Sequence, residues 1–295
     1  MEENMEIRTL RYFLETARRE NMSKAAERLH VSQSTLSKQL RKLEEELGRK
    51  LFLRHSFSIE LTEEGRLLRK RAEDLLSMAD KITAEFSAMD DVIGGEIYFG
   101  CAESFQIRYL ARIIRKFKEQ YPAFHYHITS GDTEQVTEKL EKGVLDFAVV
   151  VEEPDRKKYH ALHFPDSDLW GLVMPASCDL AQKQTVTFED LLGLPLFCST
   201  QGWLTDLPRW CGDRLDQLNL EASFRLSYNG SVFVREGLGY LLTFEHLTDT
   251  SRESGLVFRP LSPALETNMY LIWGKNQVFT PIAEQFIREL KHFMP

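Results

Sequence analysis

Within nine positions the chain sets Gln33, Ser34, Thr35, Ser37, Lys38 and Arg41, just after His30-Val31-Ser32. The chemistry open to such side chains is hydrogen bonding: short hydroxyls and an amide that donate and accept, with two cations behind them. Nucleic acid is a fitting partner, since Gln bonds adenine N6 and N7, Ser and Thr reach bases or phosphates, and Lys and Arg suit guanine edges or phosphates. At helical spacing, Gln33, Ser34, Ser37, Lys38 and Arg41 share an arc of about 140° with almost no acid before Glu44, while Leu36, Leu40, Leu43 and Leu47 form a buried stripe within about 60°. The alternative is a plain solvated face, which would more typically carry long Glu and Lys than the Ser and Thr found here.

The elements that must hold this arc are legible in the apolar spacing. Leu10, Phe13, Leu14 and Ala17 mark a first helix, Ala25, Ala26 and Leu29 a second, and the leucine stripe a third. Ser23 is the expected cap of the second helix and Ser32 of the third. Helices joined by so tight a turn cross steeply, and small Ala25 and Ala26 permit close approach. Residues 51–61, apolar at both ends and polar between, read as a two-stranded wing, and Thr62-Glu63-Glu64-Gly65 as a fresh helix start. In the long helix that follows, Leu68, Ala72, Leu75, Ala79, Ile82 and Phe86 recur every 3.5 residues on average, as in a coiled-coil seam. This predicts a dimer, the alternative being a helix that lies on its own domain.

Beyond Gly94-Gly95, strands at Glu96–Gly100, Phe124–Ser130 and Phe147–Val151 alternate with helices at Phe105–Gln120 and Thr133–Lys142, a βαβαβ order that predicts a parallel sheet. A similar alternation runs through strands at Leu169–Met174, Leu194–Cys198 and Leu238–Phe244. A strand at Met269–Trp273 and a helix at Pro281–Phe293 close the chain.

Charge is divided unevenly. Residues 1–60 hold 12 Lys+Arg against 10 Asp+Glu, whereas residues 92–295 hold 20 against 27. A mildly basic N-terminal module on an acidic body is compatible with DNA contact when its cations share a face. The longest apolar runs are far short of the roughly 20 residues that span a bilayer, so the expected location is the cytoplasm, without membrane attachment. Cys101, Cys178, Cys198 and Cys211 have no Cys-x-x-Cys pair, which argues against a disulfide framework or zinc site. His125 and His127 share a strand face without a third ligand, and no catalytic or phosphate-loop motif occurs. No catalytic residue, metal or cofactor is therefore expected. Cys198 and Cys211 would form a redox switch only if exposed with lowered pKa, the alternative being buried structural thiols.

Leu10 to Gly65 resembles the winged helix-turn-helix of LysR-type transcriptional regulators. The residues that carry the likeness include Phe13, Ser23-Lys24-Ala25-Ala26-Glu27-Arg28-Leu29, Val31-Ser32-Gln33-Ser34, Leu36, Leu40, Leu51-Phe52, Arg54 and Leu61-Thr62-Glu63-Glu64-Gly65. Gly95 to Gly100, Tyr121-Pro122, Leu145-Asp146 and Glu236-Gly237-Leu238-Gly239 extend it through the body. The resemblance implies a multidomain fold: an N-terminal all-α winged helix-turn-helix over 1–61, a coiled-coil linker helix over 62–91, and an α/β effector domain over 92–295. That domain would be two-lobed like a periplasmic binding protein, with lobe I at 92–162 and 267–295 and lobe II at 163–266. It implies a homodimer or homotetramer on promoter or operator DNA, a small-molecule effector, and RNA polymerase as a further partner. Gln33, Ser34, Thr35, Ser37 and Lys38 take the positions that face bases or nearby phosphates, and Arg54 the wing-base position. The wing is less basic than is usual, and Met1-Glu2-Glu3-Asn4 precedes the common start, which makes Met5 an alternative initiator.

In open parallel sheets ligands bind beyond the carboxyl ends of the strands. That rule selects Cys101, Glu103 and Ser104 after the first strand, Ser130 and Gly131 after the second, Glu152 after the third, and Ser199, Thr200 and Gln201 in the second lobe. Ser104 at a helix N-terminus favours a carboxylate-bearing effector, which Glu103 and Glu152 would oppose. The rival to a DNA-binding regulator is a stand-alone binding protein or enzyme whose N-terminal helices only oligomerise, and a second alternative is a thiol-based redox sensor.

Overall fold

Leu10, Phe13 and Ala17 are buried at spacings of three and four, and they fix the inward face of α1, Ile7–Arg19. In this computed structural model, residues 5–54, 58–87, 94–151 and 153–293 are described, and the chain divides into two units, 1–87 and 88–295. Of the residues singled out above, Met1-Glu2-Glu3-Asn4, Glu152, the wing tip His55-Ser56-Phe57 and the Arg54 side chain lie outside the described residues.

In the first unit α1 is followed by α2, Met22–Arg28, and α3, Gln33–Leu47. Asn21, not Ser23, caps α2: its backbone is extended and its side chain accepts from Lys24 N at 3.0 Å. Ser23 lies two residues too late, inside the first turn. Ser32 caps α3 as expected, accepting from Thr35 N at 3.1 Å. Gly48, at φ +63°, ends α3 in the left-handed conformation that glycine adopts without strain.

Leu36, Leu40 and Leu43 are buried, but Leu47 is 41% exposed and does not complete the stripe. Its expected place inside belongs to Glu44, 4% exposed, whose Oε1 accepts from Leu51 N at 2.8 Å and Phe52 N at 3.3 Å. Lys50 Nζ stands 3.3 Å from the other oxygen. The wing strands β1, Phe52–Arg54, and β2, Ile59–Leu61, pair antiparallel, with Phe52 opposite Leu61 and Arg54 opposite Ile59.

Thr62 caps α4, Glu63–Ser87, through a 3.0 Å bond from Gly65 N. Gly65 has no alternative, because a Cβ there would lie 2.2 Å from the Leu51 carbonyl oxygen. The expected single seam divides. Ala72, Leu76 and, in part, Leu68 pack into the core of the unit, whereas Leu75, Ile82 and Phe86 are 46%, 46% and 68% exposed.

The second unit carries two sheets. The first is ordered β4-β3-β5-β13-β6. Its strands are β3, Gly94–Cys101; β4, Ala123–Ser130; β5, Phe147–Val150; β6, Tyr159–His163; and β13, Tyr270–Gly274. Helices α5, Ile107–Gln120, and α6, Thr133–Glu141, make the two crossovers. The first three strands are parallel as expected, and the returning β13 runs antiparallel to β5 and β6. Phe99, Phe117, Phe147 and Phe286 of α10, Pro281–Phe293, pack together in the core below this sheet, mostly edge-on or tilted, at ring separations of 5.2–5.4 Å.

The second sheet comprises β7, Asp168–Pro175; β8, Pro195–Cys198; β9, Asn219–Ser223; β10, Tyr240–Phe244; and β11, Leu256–Pro260. They are ordered β11-β7-β10-β8-β9, with β12, Glu266–Thr267, paired to β7. Here α7, Phe188–Leu191, α8, Leu207–Cys211, and α9, Ser227–Arg235, connect the strands, and β7 runs antiparallel to β10 and β11. The chain passes between the sheets twice, after β6 and after β12.

Candidate nucleic-acid interface and effector cleft

On α3, Gln33, Ser34, Thr35, Lys38 and Arg41 are exposed and Ser37 is half-buried. With Glu44 turned into the core, the first exposed acid on this helix is Glu45, so the polar arc is longer than spacing alone indicates. Ser32 Oγ organises the first turn: it lies 2.9 Å from Ser34 Oγ and 2.7 Å from Thr35 Oγ1 while capping the helix. Gln33 is steadied from the neighbouring helix, because Ser23 Oγ donates to its Oε1 at 3.3 Å. This leaves the Gln33 amide NH2 to donate outward. The sequence missed that role of Ser23.

In the second unit a cleft of about 430 Å³ opens between the two sheets. Of the residues expected to line it, Glu103, Gly131, Ser199, Thr200 and Gln201 do so. Three do not. Cys101 is buried within β3, where desolvation pushes its thiol up to about 12. Ser130 ends the edge strand β4, exposed but away from the cavity. Ser104 is 5% exposed and donates its hydroxyl hydrogen bond to Asp168 while accepting from Gln106 N at 2.9 Å. The anion expected near the start of α5 is thus a carboxylate of the chain itself.

Contacts across the cleft join the lobes. Gln201 Nε2 donates to Thr133 Oγ1 at 2.9 Å, and Thr133 N donates back to Gln201 Oε1 at 3.2 Å. Ser227 N donates to Glu103 Oε2 at 2.8 Å, and Arg225 Nε lies 3.4 Å from Asp132 Oδ2. Trp170, Phe224 and Phe244 supply aromatic wall. Asp132, Arg225 and Ser227 were not singled out from sequence. Asp132 is two residues beyond the end of β4 and next to Gly131, which was selected, whereas Arg225 follows β9, a strand without an apolar run.

Cys198 and Cys211 are buried and free, and burial raises both thiols, the opposite of what a reactive thiolate needs. Cys211 Sγ bonds the Leu207 carbonyl at 3.1 Å. Among the described residues no group of three His, Cys, Asp or Glu side chains could hold a metal, and no helix is long and apolar enough to cross a membrane.

Comparison with known proteins gives two family matches. Residues 7–66 match the bacterial regulatory helix-turn-helix protein, lysR family, and residues 91–295 match the LysR substrate binding domain. The HTH-type transcriptional activator IlvY of Salmonella typhimurium is 28% identical over 199 residues, 67% of this chain and 68% of that protein. YwbI of Bacillus subtilis, an uncharacterised HTH-type transcriptional regulator, is 26% identical over 98% of this chain and 97% of its own. The crystal structure of full-length CbnR complexed with its target DNA shares the fold at a TM-score of 0.71 and 21% identity, covering 98% of this chain and 100% of that one.

Proposed function

The chain belongs to the lysR family of bacterial regulatory helix-turn-helix proteins, and from that premise we propose that α3 reads operator bases with Gln33, Ser34, Thr35, Ser37, Lys38 and Arg41 while Arg54 reaches the backbone beside them. The protein is a DNA-binding transcriptional regulator with an effector-binding domain, and its relatives are regulators rather than enzymes. One observation carries the finer reading. The exposed side of α3 concentrates short donors and acceptors and two cations, and the acid that would repel phosphate there, Glu44, is buried.

On this reading residues 1–61 form the DNA-binding domain, 62–91 the linker, and 92–295 the effector domain in two lobes. A small molecule enters the cleft between Glu103, Gly131, Ser199, Thr200 and Gln201, and its preference for one lobe geometry shifts the protein between states. The exposed row Leu75, Ile82 and Phe86 supports a homodimer that presents two copies of α3 to half-sites, with a tetramer of two dimers and contact to RNA polymerase as further assembly. Its place of action is the cytoplasm, where the DNA lies.

A gel shift on the gene's own upstream region, titrated with salt, tests the reading. Sequence preference that persists at raised salt is expected, and equal affinity for random DNA at every salt concentration would overturn it.

A further inference from the structure

The charge of the cleft identifies the kind of effector it takes. Helices α5, α6 and α9 begin at or beside the interlobe space, and each could cradle an anion through its unpaired N–H groups. All three are already filled by the chain's own carboxylates. Asp168 sits at the mouth of α5, held by the Ser104 hydroxyl and by Gln106 Nε2 at 3.3 Å. Asp132 caps α6, its Oδ1 accepting from Gln135 N at 2.9 Å. Glu103 reaches across to α9 and accepts from Ser227 N at 2.8 Å. An effector carboxylate at any of these three would have to displace one of these groups and leave a second negative charge beside it; at the remaining helical turn, where the Ser199 hydroxyl accepts from Gly202 N at 3.1 Å, it would share the cavity with the acids of the wall.

The remaining wall is acidic. Glu103, Asp132, Glu134 and Asp206 line the cavity against a single lining cation, Arg225. Arg225 is committed to Asp132, and Asp206 to Arg209 at 2.6 Å and to the Thr267 hydroxyl at 2.6 Å. That leaves Glu134, which is exposed, and the second oxygen of Glu103, for which no partner is found among the described residues. Trp170, Phe224 and Phe244 stand in the same wall, and the faces of aromatic rings attract cations.

Resting on the reading of this cleft as the effector site, we propose that the effector is a cation, a small amine-bearing molecule whose ammonium group is received by Glu103 and Glu134 against the aromatic wall. Glu103 can accept this ammonium on one oxygen while the other keeps Ser227 N, so ligand charge and interlobe contact meet in one side chain. An amine would hold the lobes together through Glu103, and an anion would compete with that contact.

The test uses the full-length protein and three shape-matched probes at millimolar concentration and constant ionic strength: phenethylamine, 3-phenylpropionate and the neutral 3-phenylpropanol. Thermal unfolding and tryptophan fluorescence report binding, Trp170 being in the wall. Phenethylamine is expected to raise the melting temperature and the other two are not. Glu103→Gln is expected to weaken the amine at least tenfold, and Glu134→Gln gives a second measurement if the first variant unfolds, as circular dichroism would reveal. Unaltered amine binding in both folded variants would overturn the proposal. Stabilisation by 3-phenylpropionate alone, or equally by all three, would overturn it while leaving the effector site in place. Silence from all three would count against the cleft as an effector site, and the proposal would fall with it.

Discussion

Ser104 donates a hydroxyl hydrogen bond to Asp168, so a carboxylate from the start of β7 lies buried at the mouth of α5 and joins the lobes where the chain crosses between them. Burial raises this carboxyl above its ordinary value despite the bonds from Ser104 and Gln106, which favour the ionised form. The folded state therefore keeps the proton at a pH where the unfolded chain has released it. Stability that is fully present below the ordinary carboxylate value, about 3.9, is lost as pH rises through the raised one. Asp168→Asn should remove that part of the pH slope. Urea unfolding at a series of pH values checks it, and an identical slope in the variant would show that Asp168 is not the group responsible.

Glu44 is the second buried carboxylate with a structural task. Its Oε1 holds Leu51 N and Phe52 N where α3 hands over to the wing. Glu44→Ala leaves two backbone donors without an acceptor, each costing about 1–3 kcal/mol, so a loss of about 2–6 kcal/mol is expected, with Glu44→Gln costing roughly half because a carbonyl acceptor remains. Chemical denaturation of both variants decides the matter. A loss below about 0.5 kcal/mol for Glu44→Ala would refute the handover role.

The same residue shows where sequence reading stops. The leucine stripe predicted the inward side of α3 through Leu43, and then a carboxylate, not Leu47, continued it, because the unpaired N–H groups of Leu51 and Phe52 need an acceptor that hydrophobic spacing cannot reveal. Central strands such as Phe147–Val150 were legible from their apolar runs. Tyr159–His163, Asn219–Ser223 and Leu256–Pro260 were not, and all three are sheet edges, half solvated and free to carry polar residues. The loops at strand ends located most of the cleft, but which hydroxyl faces the cavity depends on long-range partners. Ser104 is turned away by Asp168, 64 residues distant in sequence.

The division of the α4 seam yields a paired expectation. Leu75 is 46% exposed and Leu76 7%, so neighbouring positions serve different purposes. Leu75→Glu should leave the first unit folded and shift the protein toward monomers in sedimentation velocity. Leu76→Glu buries a charge in the unit's core and should unfold it. If Leu75→Glu sediments like the parent protein, the exposed row is not the dimer seam.

Gln33 presents its amide NH2 outward because Ser23 holds its oxygen at 3.3 Å, so the base contact proposed for it would be directional. An amide fixed this way suits an acceptor on a base edge, and Gln33→Ala should cost about 1–3 kcal/mol of discrimination at one base position while leaving affinity for random DNA nearly unchanged. Lys38, a bare cation on the same face, should behave differently: Lys38→Ala is expected to weaken all sequences alike and to reduce the salt slope by about 1. Ser23→Ala separates the two further, since it touches no DNA in this scheme and acts only by freeing the Gln33 amide to rotate. A smaller loss at the same base position would then mark Ser23 as the residue that aims Gln33. Equal losses on specific and random DNA for Gln33→Ala would instead make α3 a phosphate-binding helix, and operator choice would have to come from DNA shape or from the wing.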